Sequence, residues 1–324
     1  DREQITAHQA TLRTLTDTKE SQMFRAFATG ADGFVFFGAG EWAPAKQAFL
    51  RSEQLFRDHC VGYAYNLNSI RGMLFRTMYC LGEIRELGQR LEPILRQAYR
   101  QQDRYMIIVA ESAAGSVVAA AEGRVEDAER AVLQAHERLN HDAVHLQHYW
   151  VYTAEAQVAL YRGDAAAAYQ RMAWLWPAMK RALLMRIVNC RIVVRSLRAR
   201  AAIALAYAEP GRAKTLLREA RADAQMLAKE HERYAQATSR SLQALIALAE
   251  GHRDEGLQSL SEAAQGFRDV DMKLCAAAAS RREGHLRGGD EGRALIQRAE
   301  VAFADEGVVD LDRMTAMVLG VASR

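Results

Sequence analysis

The sequence predicts an all-α chain, a right-handed α-α solenoid of about seven helical hairpins stacked side by side. The first observation behind this is a period. Glycines that break apolar helical stretches fall at Gly40, Gly82, Gly123, Gly163, Gly211, Gly251 and Gly289, with spacings of 42, 41, 40, 48, 40 and 38 residues. A near-constant period of this size marks stacked helix pairs, each unable to bury its apolar face without the next. The second observation is small residues in phase with the turns. Five positions after each glycine stand Ala45, Leu87, Ala128, Ala168, Leu216, Gly256 and Ala294, mostly Ala or Gly, as close packing of the second helix on the first requires. Third, no segment alternates apolar and polar residues for long enough to argue for a sheet.

The clearest unit is 154–170, AEAQVALYRGDAAAAYQ. Gly163 is suited to the left-handed conformation that ends a helix, and Asp164 to accepting the orphan amides that start the next. Around this unit, residues 1–16 read as a leftover helix or N-terminal cap, 17–305 as the repeat array and 306–324 as a capping tail. A start at Asp1 rather than Met leads us to expect a fragment of something longer.

The first hairpin spans 17–59, with Pro44 in the first turn of its second helix, where a missing N–H costs little. The second spans 61–102. Pro93 is expected to split its latter half, because a mid-helix proline removes a backbone bond and crowds the preceding turn. Hairpins three and four span 103–140 and 141–176. Pro177 then opens a long helix reaching 208, which accounts for the spacing of 48. Pro210-Gly211 makes the next turn, and the last two hairpins run to 270 and 305. In the tail, Leu311–Leu319 is amphipathic and suited to cap the last hairpin.

Composition narrows the function classes. Of 324 residues, 50% are hydrophobic and 26% charged, which suits a folded, soluble, cytoplasmic protein. The 43 basic residues are nearly balanced by 40 acidic ones, so neither a nucleic-acid nor a membrane partner is expected. No apolar run reaches the roughly 18 uncharged residues of a membrane helix. Cys60, Cys80, Cys190 and Cys275 are far apart, with no C-x-x-C pair, and read as reduced thiols.

The small residues after each turn glycine resemble tetratricopeptide-like repeats, with a longer period than their usual 34 residues. HLQHYW at 145–150, Leu175-Trp176-Pro177, GGDEGRAL at 288–295 and RMTAM at 313–317 together look like the C-terminal helical-repeat region of large bacterial serine/threonine protein kinases. In that family a kinase domain and a signal-transducing ATPase module precede the repeats. The resemblance implies a docking or sensor arm, with the kinase and ATPase domains of a parent chain as neighbours. The family's catalytic and nucleotide-binding residues have no counterparts here.

Three motifs suggest chemistry and lose it on inspection. His252-Arg253-Asp254 spells a kinase catalytic loop, but Ser259 stands where that loop needs asparagine, and no D-F-G follows. Gly38-Ala-Gly40 with Ala43 matches a dinucleotide fingerprint, yet its flanks are helical and Gly40 belongs to the repeat period. His141, His145 and His148 lie along one helix face, where three ligands do not easily converge on one ion. That face, beside Tyr149, Trp150 and Tyr152, either packs on a neighbour or lines a groove. No catalytic, metal or cofactor residue is nominated, and no cofactor is expected.

The candidate binding residues are therefore polar side chains on first helices. Arg191, Arg195 and Arg198 share one face of the long helix, with Lys180 near the same azimuth. In repeats of the kind resembled, the first helices line the concave surface. Aligned guanidinium groups there would grip the carboxylates or phosphates of an acidic or phosphorylated protein or peptide partner. The alternative is a solvated face with salt bridges to neighbouring hairpins. Tyr65, Asn66 and Asn68 would extend the same groove. Trp174 and Trp176 are expected to fill the core beside Pro177. The expected function is a non-catalytic interaction or sensor module. The competing expectation is a small-molecule effector pocket around His148 and Tyr152 that controls an adjacent ATPase or kinase domain.

Overall fold

A computed structural model describes residues 22–140 and 143–321. The expectation for 1–16 and the contribution of His141 lie outside those residues. The architecture is all-α, with no strand among the described residues. The described residues divide into two compact units, with the boundary between Leu81 and Gly82.

In the first unit, α1 (Gln22–Ala39) and α2 (Trp42–His59) form a hairpin about Gly40, and α3 (Ala64–Leu81) packs on α2. Gly33 lets α1 approach so closely that a Cβ there would stand 2.6 Å from the Phe49 ring. Trp42, Phe49 and Phe56 are fully buried, and Phe37 meets Trp42 edge-on at 5.2 Å. Across this apolar packing, the buried Arg71 donates to Glu53 at 3.0 Å.

The second unit opens with α4 (Ile84–Arg100). Next, α5 (Arg104–Ala110) continues through a π-helical turn, Glu111–Gly115, into α6 (Ser116–Ala121), and α7 (Val125–Glu137) returns. Hairpins follow in α8 (Leu146–Arg162) with α9 (Ala165–Arg181), α10 (Val188–Ala208) with α11 (Ala213–Ala228), and α12 (Arg233–Ala249) with α13 (Arg253–Arg268). The last is α14 (Lys273–Arg287) with α15 (Gly289–Asp305), and α16 (Leu311–Leu319) ends the described chain. From α4 to α15 consecutive helices pack on one another, and first helices also touch across hairpins, α8 on α10 and α10 on α12. The window Arg104–Ala121 is long and apolar enough to cross a membrane, but 89% of it is buried inside the protein.

The turns follow the sequence logic. Gly163 has φ +80° and Asp164 accepts from the Ala167 amide at 2.9 Å, ending one helix and starting the next. The prolines do not. Pro93 lies inside a continuous α4 and Pro177 inside a continuous α9, so neither splits or opens a helix. Both prolines are exposed, as are Gln89 and Ala173 four residues earlier, so the carbonyls that lose a donor face water. The buried stripe of Ile84, Leu87, Leu91 and Ala98 then holds α4 together. The long helix begins at Val188, after a short 3-10 turn.

Two further expectations change. Ala294 is exposed, and Gly292 takes the close contact in its place, with its backbone against Gly284. The turn Gly288-Gly289 is tighter than the others, which shifts the register of α15. The segment α16 does more than cap the last hairpin: it lies against α8 as well as α14. The two ends of this unit also meet. Arg85 at the start of α4 donates from Nε to the Asp305 carbonyl at 2.9 Å and from Nη2 to the Ala304 carbonyl at 3.2 Å.

Candidate functional site

The long helix α10 carries arginines on opposite sides. Arg191 and Arg200 are nine residues apart, about 2.5 turns, so they point in opposite directions. Arg200 reaches α16 and donates to the carbonyls of Met317 and Val318 at 2.9 and 2.7 Å. Arg191, Arg195 and Arg198 face the second helices, and their guanidinium groups are held by the chain's own carboxylates.

Arg191 makes a two-pronged pair with Glu230, both contacts at 2.6 Å. The Glu230 carboxylate raises the Arg191 pKa above its ordinary value by accepting these bonds. Asp223 on α11, fully buried, accepts from Arg195 Nη1 at 2.9 Å and from Arg198 Nε and Nη2 at 2.6 and 2.7 Å. These salt bridges lie within the α10–α11 hairpin and the loop that leaves it, whereas the alternative sequence reading placed them to neighbouring hairpins.

A ring completes the arrangement. Trp176, near the end of α9, is half-buried with three cations around its indole. Arg198 stands 3.7 Å from the ring centroid, Lys180 4.7 Å and Arg195 5.0 Å. The face of an indole attracts cations by its quadrupole, so the ring partly offsets the mutual repulsion of the three charges. One carboxylate, Asp223, is hydrogen-bonded to two of them, and the site keeps a positive balance. Trp176 is thus a platform for cations and does not fill the core. Its neighbour Trp174 is 46% exposed and stacks on Tyr152, with centroids 4.1 Å apart.

His148 and Tyr152 are not brought together. His148 is buried in a capping arrangement, its Nδ1 accepting from the His145 amide at 3.1 Å. Tyr152 belongs to a different cluster, where His136 Nδ1 lies 2.6 Å from a Glu155 carboxylate oxygen and Arg171 pairs with the other at 3.1 Å. Burial, and then the Glu155 charge, push the Tyr152 pKa up. His148 lines a cleft of about 360 Å³ with Arg104, Arg138, Asn140 and His145, and Tyr152 is not in its lining. In the first unit Tyr65 is exposed and Asn66 half-buried, whereas Asn68 is buried and accepts from Arg71 at 3.4 Å.

Sequence reading found the arginine face and missed its counter-ions. Asp223 and Glu230 lie 25 to 39 residues from their partners, a separation at which spacing carries no signal. Comparison of the chain with protein-family models, curated proteins and solved structures gives no match.

Proposed function

We propose that this chain is a non-catalytic helical-repeat interaction module whose docking point for an acidic or phosphorylated peptide is the Trp176 platform. The observation that carries this reading is the gathering of Lys180, Arg195 and Arg198 on one indole, with Asp223 the carboxylate bound to two of them. Asp223 fixes the two guanidinium groups and leaves Lys180 on its flexible stem. An incoming carboxylate or phosphate would find a pre-oriented positive site with an aromatic floor, the kind of anchor that dominates protein interfaces. The resemblance to the repeat region of large bacterial serine/threonine kinases supports reading the module as a cytoplasmic sensor or docking arm beside kinase and ATPase domains.

Selection from a library of acidic and phosphorylated peptides tests it. The expected result is enrichment of anionic peptides, weakened by salt and abolished in Lys180→Glu and Trp176→Ala chains that keep their helical circular dichroism. Equal enrichment by the variants would remove this site. A second reading, a regulatory domain for a small effector, draws on the polar lining of the cleft at Arg104, Arg138 and His148. It requires a ligand-dependent rise in melting temperature that His148→Ala removes.

A further inference from the structure

The segment α16 has the features of a bound ligand that happens to be covalently attached. It is a nine-residue helix with its own caps: Asp310 accepts from the Arg313 amide at 2.9 Å, and Gly320 closes the far end at φ +94°. It lies against α8 and α14, with Met314, Thr315 and Met317 fully buried and Leu319 nearly so. Polar contacts fix both ends and the approach. Arg281 on α14, itself buried, donates to Asp312 at 2.7 Å in the first turn of α16. Arg200 on α10 holds the last-turn carbonyls of Met317 and Val318. Just before the helix, the Val309 amide donates to the Ala121 carbonyl at 2.8 Å.

These contacts define a specification more than a sequence. Arg281 asks for an acidic side chain in the first turn of an occupant. Arg200 asks for the open carbonyls that every helix has at its C-terminus. The apolar seat takes residues at i, i+3 and i+4, here Met314, Met317 and Val318, and methionine adapts its shape readily. Any short amphipathic helix with an acidic start meets these terms, which is the helix-in-groove mode of recognition.

We propose that the seat beneath α16 on α8, α10 and α14 is a docking site for a partner helix of this chemistry, and that α16 is its tethered competitor. The proposal rests on the interaction-module reading and adds a second contact, on the face of α10 opposite the Trp176 platform. A ligand on a short tether acts at an effective concentration near millimolar, so an external helix binds the intact chain weakly. Weakening α16 itself, while leaving the seat untouched, should reveal the affinity.

The probe is a fluorescent peptide with the sequence of residues 308–321, and the host is the full chain carrying Met317→Asp in its own α16. This host is expected to bind the peptide roughly tenfold or more tightly than the unaltered chain. A peptide carrying Met317→Asp should bind neither. No binding by a folded Met317→Asp host, or equal binding of both peptides, would overturn the proposal. If that host fails to fold, Asp312→Ala serves, since it removes the Arg281 contact and leaves the apolar face of α16 unchanged. Hydrogen exchange on the unaltered chain adds a second measure. Amides of α16 are expected to open well before those of α8; matching protection would overturn the proposal, because α16 would then leave only on global unfolding. Loss of this exchange with anionic-peptide selection retained would sink the seat and spare the Trp176 site.

Discussion

Arg198 and Trp176 form the tightest of the three cation–ring contacts on the platform, with the guanidinium carbon 3.7 Å from the indole centroid. The same guanidinium holds Asp223 through two bonds, so one side chain joins the ends of α9 and α11 to the middle of α10. Aromatic and ionic contacts here share their charges, and removing one member changes the surroundings of the rest.

Asp223→Ala is expected to be severe. It leaves two largely buried guanidinium groups without their carboxylate, a change that costs about 3–5 kcal/mol where buried pairs are broken from one side. Urea denaturation measures the loss. A change under about 1 kcal/mol would mean that the pair is as weak as an exposed one.

The π-helical turn gives a pH-dependent prediction. Glu111 is buried there and accepts from the Tyr99 hydroxyl at 2.9 Å. Burial pushes its pKa above the ordinary carboxylate value. In the folded chain the proton is therefore held to higher pH than in the unfolded chain. Stability contributed by the protonated form is present below the unfolded pKa and falls as pH rises towards the folded one. Glu111→Gln keeps a partner for Tyr99 and never ionises. It should stabilise the chain at pH 7 and make little difference near pH 4, as read from denaturation midpoints at the two pH values.

Pro93→Ala restores a backbone donor inside α4, where the surrounding turns are already helical. The expected gain is roughly 1–3 kcal/mol, with part of the helix benefit offset by greater freedom in the unfolded chain. Thermal melting checks the sign. A loss would show that the proline ring itself makes a needed contact.

Gly284→Ala should do the reverse. A Cβ there would stand 2.6 Å from the Gly292 carbonyl oxygen, a backbone atom with little room to yield. The expected cost is about 1–3 kcal/mol, by forced separation of α14 and α15. Hydrogen exchange should place the weakened amides in those two helices and in α16, which packs on α14.

The architecture was legible because it repeats. Each hairpin restates the same local rules, so Gly40, Gly82, Gly123, Gly163 and Gly251 all adopt the positive φ that their period suggested. Legibility failed where exposure decides. Nothing local says that Pro93 and Pro177 face water, which is why both sit inside helices that they were expected to interrupt. The site was half legible. Helical spacing put Arg191, Arg195 and Arg198 on one face, but Asp223 and Glu230 come from elsewhere in the chain. Trp176 looked like core because large side chains beside a proline usually are.

The bond from Arg85 to the last carbonyls of α15 changes what kind of object the second unit is. An open row of repeats can fray from either end, lose a module or gain one, because its stability sums over neighbours alone. A strap between first and last removes that freedom. Inserting an extra repeat would pull residues 85 and 305 apart, so the helices between them, α4 to α15, are expected to melt in one cooperative step and to tolerate no change in their number of hairpins.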